Sequence, residues 1–441
     1  MTTTALDPAA LAAGLLSPLA AREDLSHGFG PGGTSVPGAV SLMGGAPSAD
    51  LLPLAALREA ARDLTTDPAA LVDALQYSAA PGITPLREWI ARREGVDASR
   101  VLVTNGAFHG LSLVFDALLE RGDLIAVEDP TYPLIFRDLQ HHDVDVLPVS
   151  LTEEGLDLDA LEERLEAGAR PKLLYTVPDF HNPTGLIVPA AQRERLVSLA
   201  ERHGFVIVSD SAYAGLAFPG VETPADFTTD SDLVVRVRTF SKILGPGLRL
   251  GYLVLPAWLV GPVTRLRANQ DQHSSVVVQA IVERVVGAGE HAPLHGGLDG
   301  IADRARTAYA SRFDLVAGLL DEALPGGIEI AHRTGGIFLW AQVDEAIDLA
   351  AARRIARERT GTDFVPGRYF RLATAADTAP ARRAAGSPSA DGAGALEGAG
   401  AELTSTDAGR LRVGISHLDE PALREGVTRL AAALTDPEAR R

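Results

Sequence analysis

The sequence predicts an α/β protein, with a mainly parallel central sheet, helices on both faces and a smaller α+β domain. Three observations carry this. From about residue 55 to 325, short β-branched runs alternate with segments of helical periodicity. After residue 326 the order changes to strands around a Gly-rich turn, then a strand and a terminal helix. Hydrophobic residues make up 46% of the chain, enough for a sizeable core.

The elements follow in order. "VLVT" (101–104) reads as a strand that passes through "NGAFHG" into the helical "LSLVFDALLE" (111–120). "PKLLYTVPDF" (171–180) is a second strand, ending in polar residues. The next segment, "AAQRERLVSLAERHG" (190–204), is a helix with Leu196 and Leu199 on its face and Gly204 as its stop. "FVIVSDSAY" (205–213) and "LVVRVRTF" (233–240) are further strands. Such alternation implies parallel pairing, and ligands then bind beyond the carboxyl ends of the strands. In the C-terminal part, "GGIEIAHRTGGIFLWAQV" (326–343) reads as two strands, "LRVGISHL" (411–418) as a strand and "PALREGVTRLAAAL" (421–434) as a helix. The expected division is an N-terminal segment 1–54 joined to the small domain, a large domain 55–325 and a small domain 326–441. The last holds an Ala/Gly/Ser-rich stretch at about 371–409, read as a mobile surface insertion.

Composition narrows the function. A net charge of −18 and the absence of a basic cluster argue against nucleic acid and against an anionic membrane surface. Without cysteine there is no disulfide, thiolate metal site or cysteine nucleophile. No apolar run reaches transmembrane length, and the first residues lack a charged signal region, so a cytoplasmic enzyme is expected. "HHD" (141–143) and "HAPLH" (291–295) have metal-like spacing but no further ligand nearby in sequence, and no metal is expected.

The chain's basic charge is almost all arginine, and only Lys172 and Lys242 are lysines. Lys242 follows a strand in "TFSKILGPGLRLGY" (239–252), among Phe240, Ile243 and Leu244. Desolvation there lowers an amine's pKa and makes it a nucleophile. Thr239, Ser241 and Arg249 beside it suggest a phosphate held near an imine. Asp210 ends the strand in "VSDSAY", placed to pair with a protonated ring nitrogen, and Tyr213 follows it. "PDFHNPTG" (178–185) offers the Asn182 amide, "EDPTYP" (128–133) a flat Tyr132, and "TNGAFHG" a helix N-terminus for an anion.

In this order and spacing, with "SLMGGAPSADLLP" (41–53), "LQYSAAPGITPLREWI" (75–90), "GGIFLW" (335–340), "VPGRYF" (365–370) and "LRVGIS", the chain resembles a class I/II, fold-type I pyridoxal-phosphate aminotransferase of the 2-aminoadipate aminotransferase-like branch. The resemblance covers nearly the whole chain apart from the insertion. It implies the cofactor pyridoxal 5'-phosphate, amino acid and 2-oxo acid substrates, and a homodimer. Lys242 would carry the cofactor as an imine and shuttle the Cα proton. Asp210 would hold the ring nitrogen, Asn182 and Tyr213 the phenolic oxygen, and Tyr132 would stack on the ring. Ala107, Phe108, Thr239, Ser241 and Arg249 would hold the phosphate, with Tyr77 reaching it from the other subunit. Arg412 and Asn182 would grip the substrate carboxylate, the backbone at Gly45 would help close the site, and Arg22 would meet a distal carboxylate.

Three places depart from the family wording: His181 for a glutamine, Asp179 for a serine, and Ala107-Phe108-His109 for a hydroxyl-bearing turn. With His273, these imidazoles raise an alternative: diversion to decarboxylation, elimination, replacement or oxidation of an amino acid. A sensing domain of a transcription regulator is a further alternative, disfavoured because residues 1–40 are too short and too poor in basic residues for a DNA-binding domain.

Overall fold

The computed structural model describes residues 15–17, 20, 36–228, 230–372 and 409–441. Arg22 and positions 373–408 of the Ala/Gly/Ser-rich stretch therefore lie outside the described residues. In chain order the first strands are β1 (Val40–Ser41), β2 (Val101–Thr104), β3 (Leu124–Asp129), β4 (Asp145–Thr152), β5 (Gly155–Leu156), β6 (Leu173–Thr176) and β7 (Val206–Asp210). They are followed by β8 (Val234–Thr239), β9 (Gly251–Val254), β10 (Ile328–Ile330), β11 (Phe338–Val343), β12 (Thr362–Asp363), β13 (Val365–Pro366) and β14 (Arg410–Gly414).

Eight strands form the large sheet in the order β2-β9-β8-β7-β6-β3-β4-β5. The run from β8 to β4 is parallel, as the strand–helix alternation predicts. The sequence reading did not single out β9, which enters antiparallel between β2 and β8. It is only four residues long, fully buried, and carries no alternation to betray it. Successive residues of the parallel strands feed two cores. Ile125, Val127, Leu173, Val208 and Val237 pack on one face, while Ala126, Leu174, Ile207 and Val234 pack on the other against Leu161, Leu165, Leu196 and Leu199. Burial on both faces explains the near-continuous apolar runs. The helix Ala190–His203 ends at Gly204 in the left-handed conformation, where the sequence places its stop.

Arg236 and Arg238 interrupt the apolar pattern of β8. With Arg193 they meet Asp179, Asp226 and Glu94 in a buried network of three cations and three carboxylates, with contacts from 2.6 to 4.0 Å. Each charge is offset there, and removing one would strand its partner at a cost of about 3–5 kcal/mol.

The four-stranded sheet has the order β10-β11-β14-β13, all antiparallel, and β1 pairs with β12 beside it. The helix Glu420–Thr435 starts at Asp419, whose carboxylate accepts from Ala422 N at 3.0 Å. No described helix is long and apolar enough to cross a membrane.

Candidate active site

The carboxyl ends of β2, β3, β6, β7 and β8 open on one side of the large sheet. Asp210 is the last residue of β7 and is buried. Its Oδ2 accepts from Tyr175 Oη at 2.9 Å. Its Oδ1 is also buried and meets no hydrogen-bond partner among the described residues. Burial, with the nearby Glu128, pushes this carboxyl up to about 6 against the pull of the Tyr175 hydroxyl and Lys242. One carboxylate oxygen is thus held and the other is left facing the site.

Lys242 lies three residues beyond the end of β8. Its Nζ donates to Gly45 O at 2.7 Å and sits 5.9 Å from the centre of the Tyr213 ring. Burial, then the Arg412 and Arg249 cations, push the amine down to about 8, with Asp210 opposing. An appreciable minority of the amine is therefore neutral and nucleophilic near physiological pH, far more than in an ordinary lysine. Gly45 has no room for a side chain, since a Cβ would lie 2.6 Å from the Phe338 ring. A side chain there would drive the Gly45 carbonyl off the lysine.

From Tyr213 a chain of polar groups crosses to the small sheet. Asn182 Nδ2 donates to Tyr213 Oη at 3.2 Å, and Arg412 Nη1 donates to Asn182 Oδ1 at 2.8 Å. Arg412 Nη2 donates to Met43 O at 3.0 Å. The guanidinium lies 3.8 Å from the centre of the Phe338 ring and 5.0 Å from that of Phe370. Burial lowers it from its ordinary value, with Tyr213 and Tyr132 opposing. Half-buried Tyr132 faces the same group: burial raises its phenol, and Tyr213 and Asp210 raise it further. The Asn182 segment is seated by the glycine pair of the small domain. A Cβ on Gly335 would lie 2.5 Å from the Phe180 ring.

At the far end, β2 runs through Gly106, with φ 88°, into the helix Ala107–Leu118. Arg249 Nη2 donates to Asn105 O at 3.1 Å, and a Cβ on Gly106 would lie 2.8 Å from that nitrogen. Gly251 separates this turn from the end of β8, and a Cβ on it would lie 2.9 Å from Ala107 N. Thr239 Oγ1 donates to Ser241 Oγ at 2.8 Å and accepts from Ser241 N at 3.1 Å. Helix N–H groups, two hydroxyls and a cation therefore gather around one small space suited to an anion.

Lys242, Asp210, Tyr213, Asn182, Tyr132, Gly45 and Arg412 come together, with Ala107, Phe108, Thr239, Ser241 and Arg249 at the anion end. Tyr77 does not join them within the chain: it is 84% exposed, edge-on to His273 at 6.0 Å between ring centres. The three histidines are bonded elsewhere. His109 Nδ1 accepts from Asn105 N at 3.1 Å, inside its own turn. His181 is turned into the sheet, with Nε2 3.2 Å from Glu128 Oε1 and Nδ1 2.9 Å from Thr184 Oγ1. The Nδ1 of His273 is 2.9 Å from Ser274 O. Asp179 belongs to the buried network, at 2.6 Å from Arg193. Each of these side chains thus has a contact within the fold, and nothing among the described residues supports the diverted chemistry. Sequence reading missed Tyr175, Phe338 and Phe370. Tyr175 carried a signal, because a tyrosine inside a buried strand needs a partner for its hydroxyl.

An α/β sheet with a desolvated lysine amine at its strand ends is the framework of an enzyme that carries an aldehyde cofactor on lysine. The chain belongs to the class I and II aminotransferases, matching that family (Aminotransferase class I and II) over residues 40–384. It is 30% identical over 405 residues to the 2-aminoadipate transaminase of Thermus thermophilus, covering 91% of each chain. It is also 30% identical over 344 residues to the Aromatic-amino-acid aminotransferase 1 of Thermococcus litoralis, covering 75% of this chain and 80% of that one. A solved structure of the α-aminoadipate aminotransferase LysN from Thermus thermophilus, complexed with N-(5'-phosphopyridoxyl)-L-leucine, is similar at a TM-score of 0.75 and 29% identity. The match covers 90% of this chain and 92% of that one. The protein is a pyridoxal-phosphate-dependent transferase that moves an amino group from an L-amino acid to a 2-oxo acid.

Proposed function

We propose that Lys242, Asp210, Asn182, Tyr213, Tyr132 and Arg412 form the catalytic centre of a cytoplasmic homodimeric aminotransferase. The observation that carries this reading is the free, buried Oδ1 of Asp210, set in the same group as the lowered amine of Lys242. A buried carboxylate oxygen without a partner is costly unless a ligand supplies the missing donor. The residues fit pyridoxal phosphate: Asp210 Oδ1 suits a ring N–H, and the space kept by Gly106 and Gly251 suits a phosphate. When bound, this cofactor supplies an aldehyde for amines and a protonated ring that withdraws electrons from the substrate Cα.

The chain's own groups do the rest. Asp210 Oδ1 would keep the ring nitrogen protonated, while Tyr175 holds the carboxylate's Oδ2. Asn182 Nδ2 and the Tyr213 hydroxyl would present donors to the phenolic oxygen, and Tyr132 would stack on the ring. The N–H groups of Ala107 and Phe108, with Thr239, Ser241 and Arg249, would hold the phosphate. Lys242 Nζ takes the proton from the substrate Cα, a role that a neutral amine performs near pH 8. Arg412 and Asn182 hold the α-carboxylate, with Phe338 and Phe370 excluding water around the guanidinium. Arg412→Lys is expected to lower kcat/KM for amino acids by about a hundredfold, mostly through KM, because lysine cannot make the bidentate grip. Steady-state kinetics with 2-aminoadipate and with aromatic amino acids would measure it, and an unchanged KM would remove Arg412 from the substrate.

The homodimer is supported by an apolar strip on one stretch of chain: Leu54, Val72, Leu75 and Tyr77 are all more than half exposed. In a dimer Tyr77 would reach the other subunit's phosphate. Tyr77→Phe is then expected to weaken cofactor binding about tenfold, the loss of one hydrogen bond to a charged group. Fluorescence titration of the cofactor-free protein reads this, and unchanged affinity would exclude Tyr77 from the site.

A further inference from the structure

Three helices end at one place, away from the catalytic centre. The helix Ala107–Leu118 ends two residues after Asp116, the helix Ile135–His142 ends on His142, and the helix Ala257–Gln270 ends on Gln270. Each contributes the negative end of a helix dipole. Asp116 sits about 13 Å along its helix from Ala107 at 1.5 Å per residue, well clear of the cofactor phosphate.

The side chains there are organised. Asp116 Oδ2 accepts from Gln270 Nε2 at 2.7 Å, which aims Oδ1 at His142 Nε2, 3.0 Å away. His142 Nδ1 is 2.8 Å from the carbonyl of Asp138. A carbonyl only accepts, so Nδ1 carries the hydrogen, and in a neutral ring Nε2 then turns a lone pair toward the Asp116 carboxylate. Two lone pairs at 3.0 Å repel unless a proton or a cation lies between them. The ring of His141 stands 5.0 Å from that of His142. One ligand atom from each of Asp116, His141 and His142 lies within 4.8 Å of the others. In the metal-free protein a proton on Nε2 meets this need, and a metal ion would take its place; nearby, Asp138 is held by Ser112 Oγ at 3.0 Å, and Arg121 pairs with Asp143 at 2.7 Å.

We propose that Asp116, His141 and His142 bind one divalent cation of the zinc class. Two imidazoles and a carboxylate are the ligands that Zn²⁺, Co²⁺ and Ni²⁺ share, with water in the remaining positions. The Nδ1–H of His142 on the Asp138 carbonyl and the Gln270 amide on Asp116 are the outer contacts that orient such ligands. Bonds of about 2 Å to one ion draw the three atoms closer than they stand here, and exposed His141 reaches by rotation about its side-chain bonds. The ion ties the end of the cofactor-bearing helix to its neighbour, so its role is structural. "HHD" looked insufficient in the sequence because its third ligand, Asp116, is 25 residues upstream on another helix.

The test uses the holoenzyme, treated with EDTA, freed of it by dialysis, and titrated with Zn²⁺ against a chromophoric chelator. One Zn²⁺ per chain is expected, with a rise in Tm that saturates at the same ratio. His141→Ala, Asp116→Asn and His142→Asn should each weaken binding by about tenfold or more. Asn at 142 keeps a donor for the Asp138 carbonyl, and exposed His141 is removable without disturbing the core. His291→Ala, at a separate surface histidine, should change nothing. Co²⁺ should give visible ligand-field bands that disappear in His142→Asn. Absence of stoichiometric zinc, or equal binding by the wild type and all three variants, overturns the proposal.

Discussion

Lys242→Ala is expected to lower kcat by about ten-thousand-fold or more, since it removes both the covalent attachment and the proton-transfer base. Borohydride reduction of the wild-type holoenzyme should fix the cofactor to a single peptide containing Lys242, and the variant should not be labelled. Lys172 is the natural control. Its Nζ pairs with Asp123 at 2.7 Å at the opposite end of β6, so Lys172→Arg should keep full turnover and labelling. The lowered amine adds a pH signature. Below about 8 Lys242 is mostly protonated, so the cofactor-free protein should capture the aldehyde faster as pH rises and level off above about 8. Label on Lys172, or turnover surviving the loss of Lys242, would overturn the assignment.

Asp210→Asn separates catalysis from stability. In the holoenzyme it removes the anion that keeps the ring nitrogen protonated, and kcat should fall by about 10²–10³-fold, the size of losing one preorganised electrostatic contact. In the cofactor-free protein the sign reverses. The Asp210 carboxyl is pushed up to about 6 in the fold, above its ordinary 3.8. Burial therefore opposes ionisation, and the charged form costs stability on the order of 3 kcal/mol above pH 6. That penalty is absent below the unfolded value and grows as pH rises to the folded one. Cofactor-free Asp210→Asn should thus match the wild type near pH 4 and become the more stable protein between pH 4 and 6, with a constant advantage above that. Tm against pH measures it. A variant less stable than the wild type at pH 8 would mean that Asp210 is held by a structural partner and does not await a ligand.

Much of this site was legible because its chemistry demands particular residue types directly after strands. Lys242, Asp210 and Asn182 each follow a buried strand or close one, and each stands in a short motif quoted for the resemblance. That glycine is needed at 45 and 106 came only from the structure, where a Cβ would meet Phe338 and Arg249. Other features depend on contacts between distant segments. Nothing local to His181 tells that it faces Glu128 and not the substrate, because both orientations suit an X-Asn-Pro-Thr-Gly turn. Asp179 reads as an intruding charge until Arg193, 14 residues later, is folded onto it. Arg412 is singled out by the family resemblance, but its enclosure by Phe338, Phe370 and the Met43 carbonyl is not.

By itself, then, the sequence determined the parallel α/β framework, the lysine proposed to carry the cofactor and the family to which the chain belongs. These follow from periodicity and from short motifs, which act over a few residues. Tertiary structure alone decided which oxygen of Asp210 is free, where the three imidazoles point, and that Asp116 joins His141 and His142 across the ends of three helices. Those outcomes rest on close packing and on electrostatics over a few ångströms, between groups that the chain separates by tens or hundreds of residues.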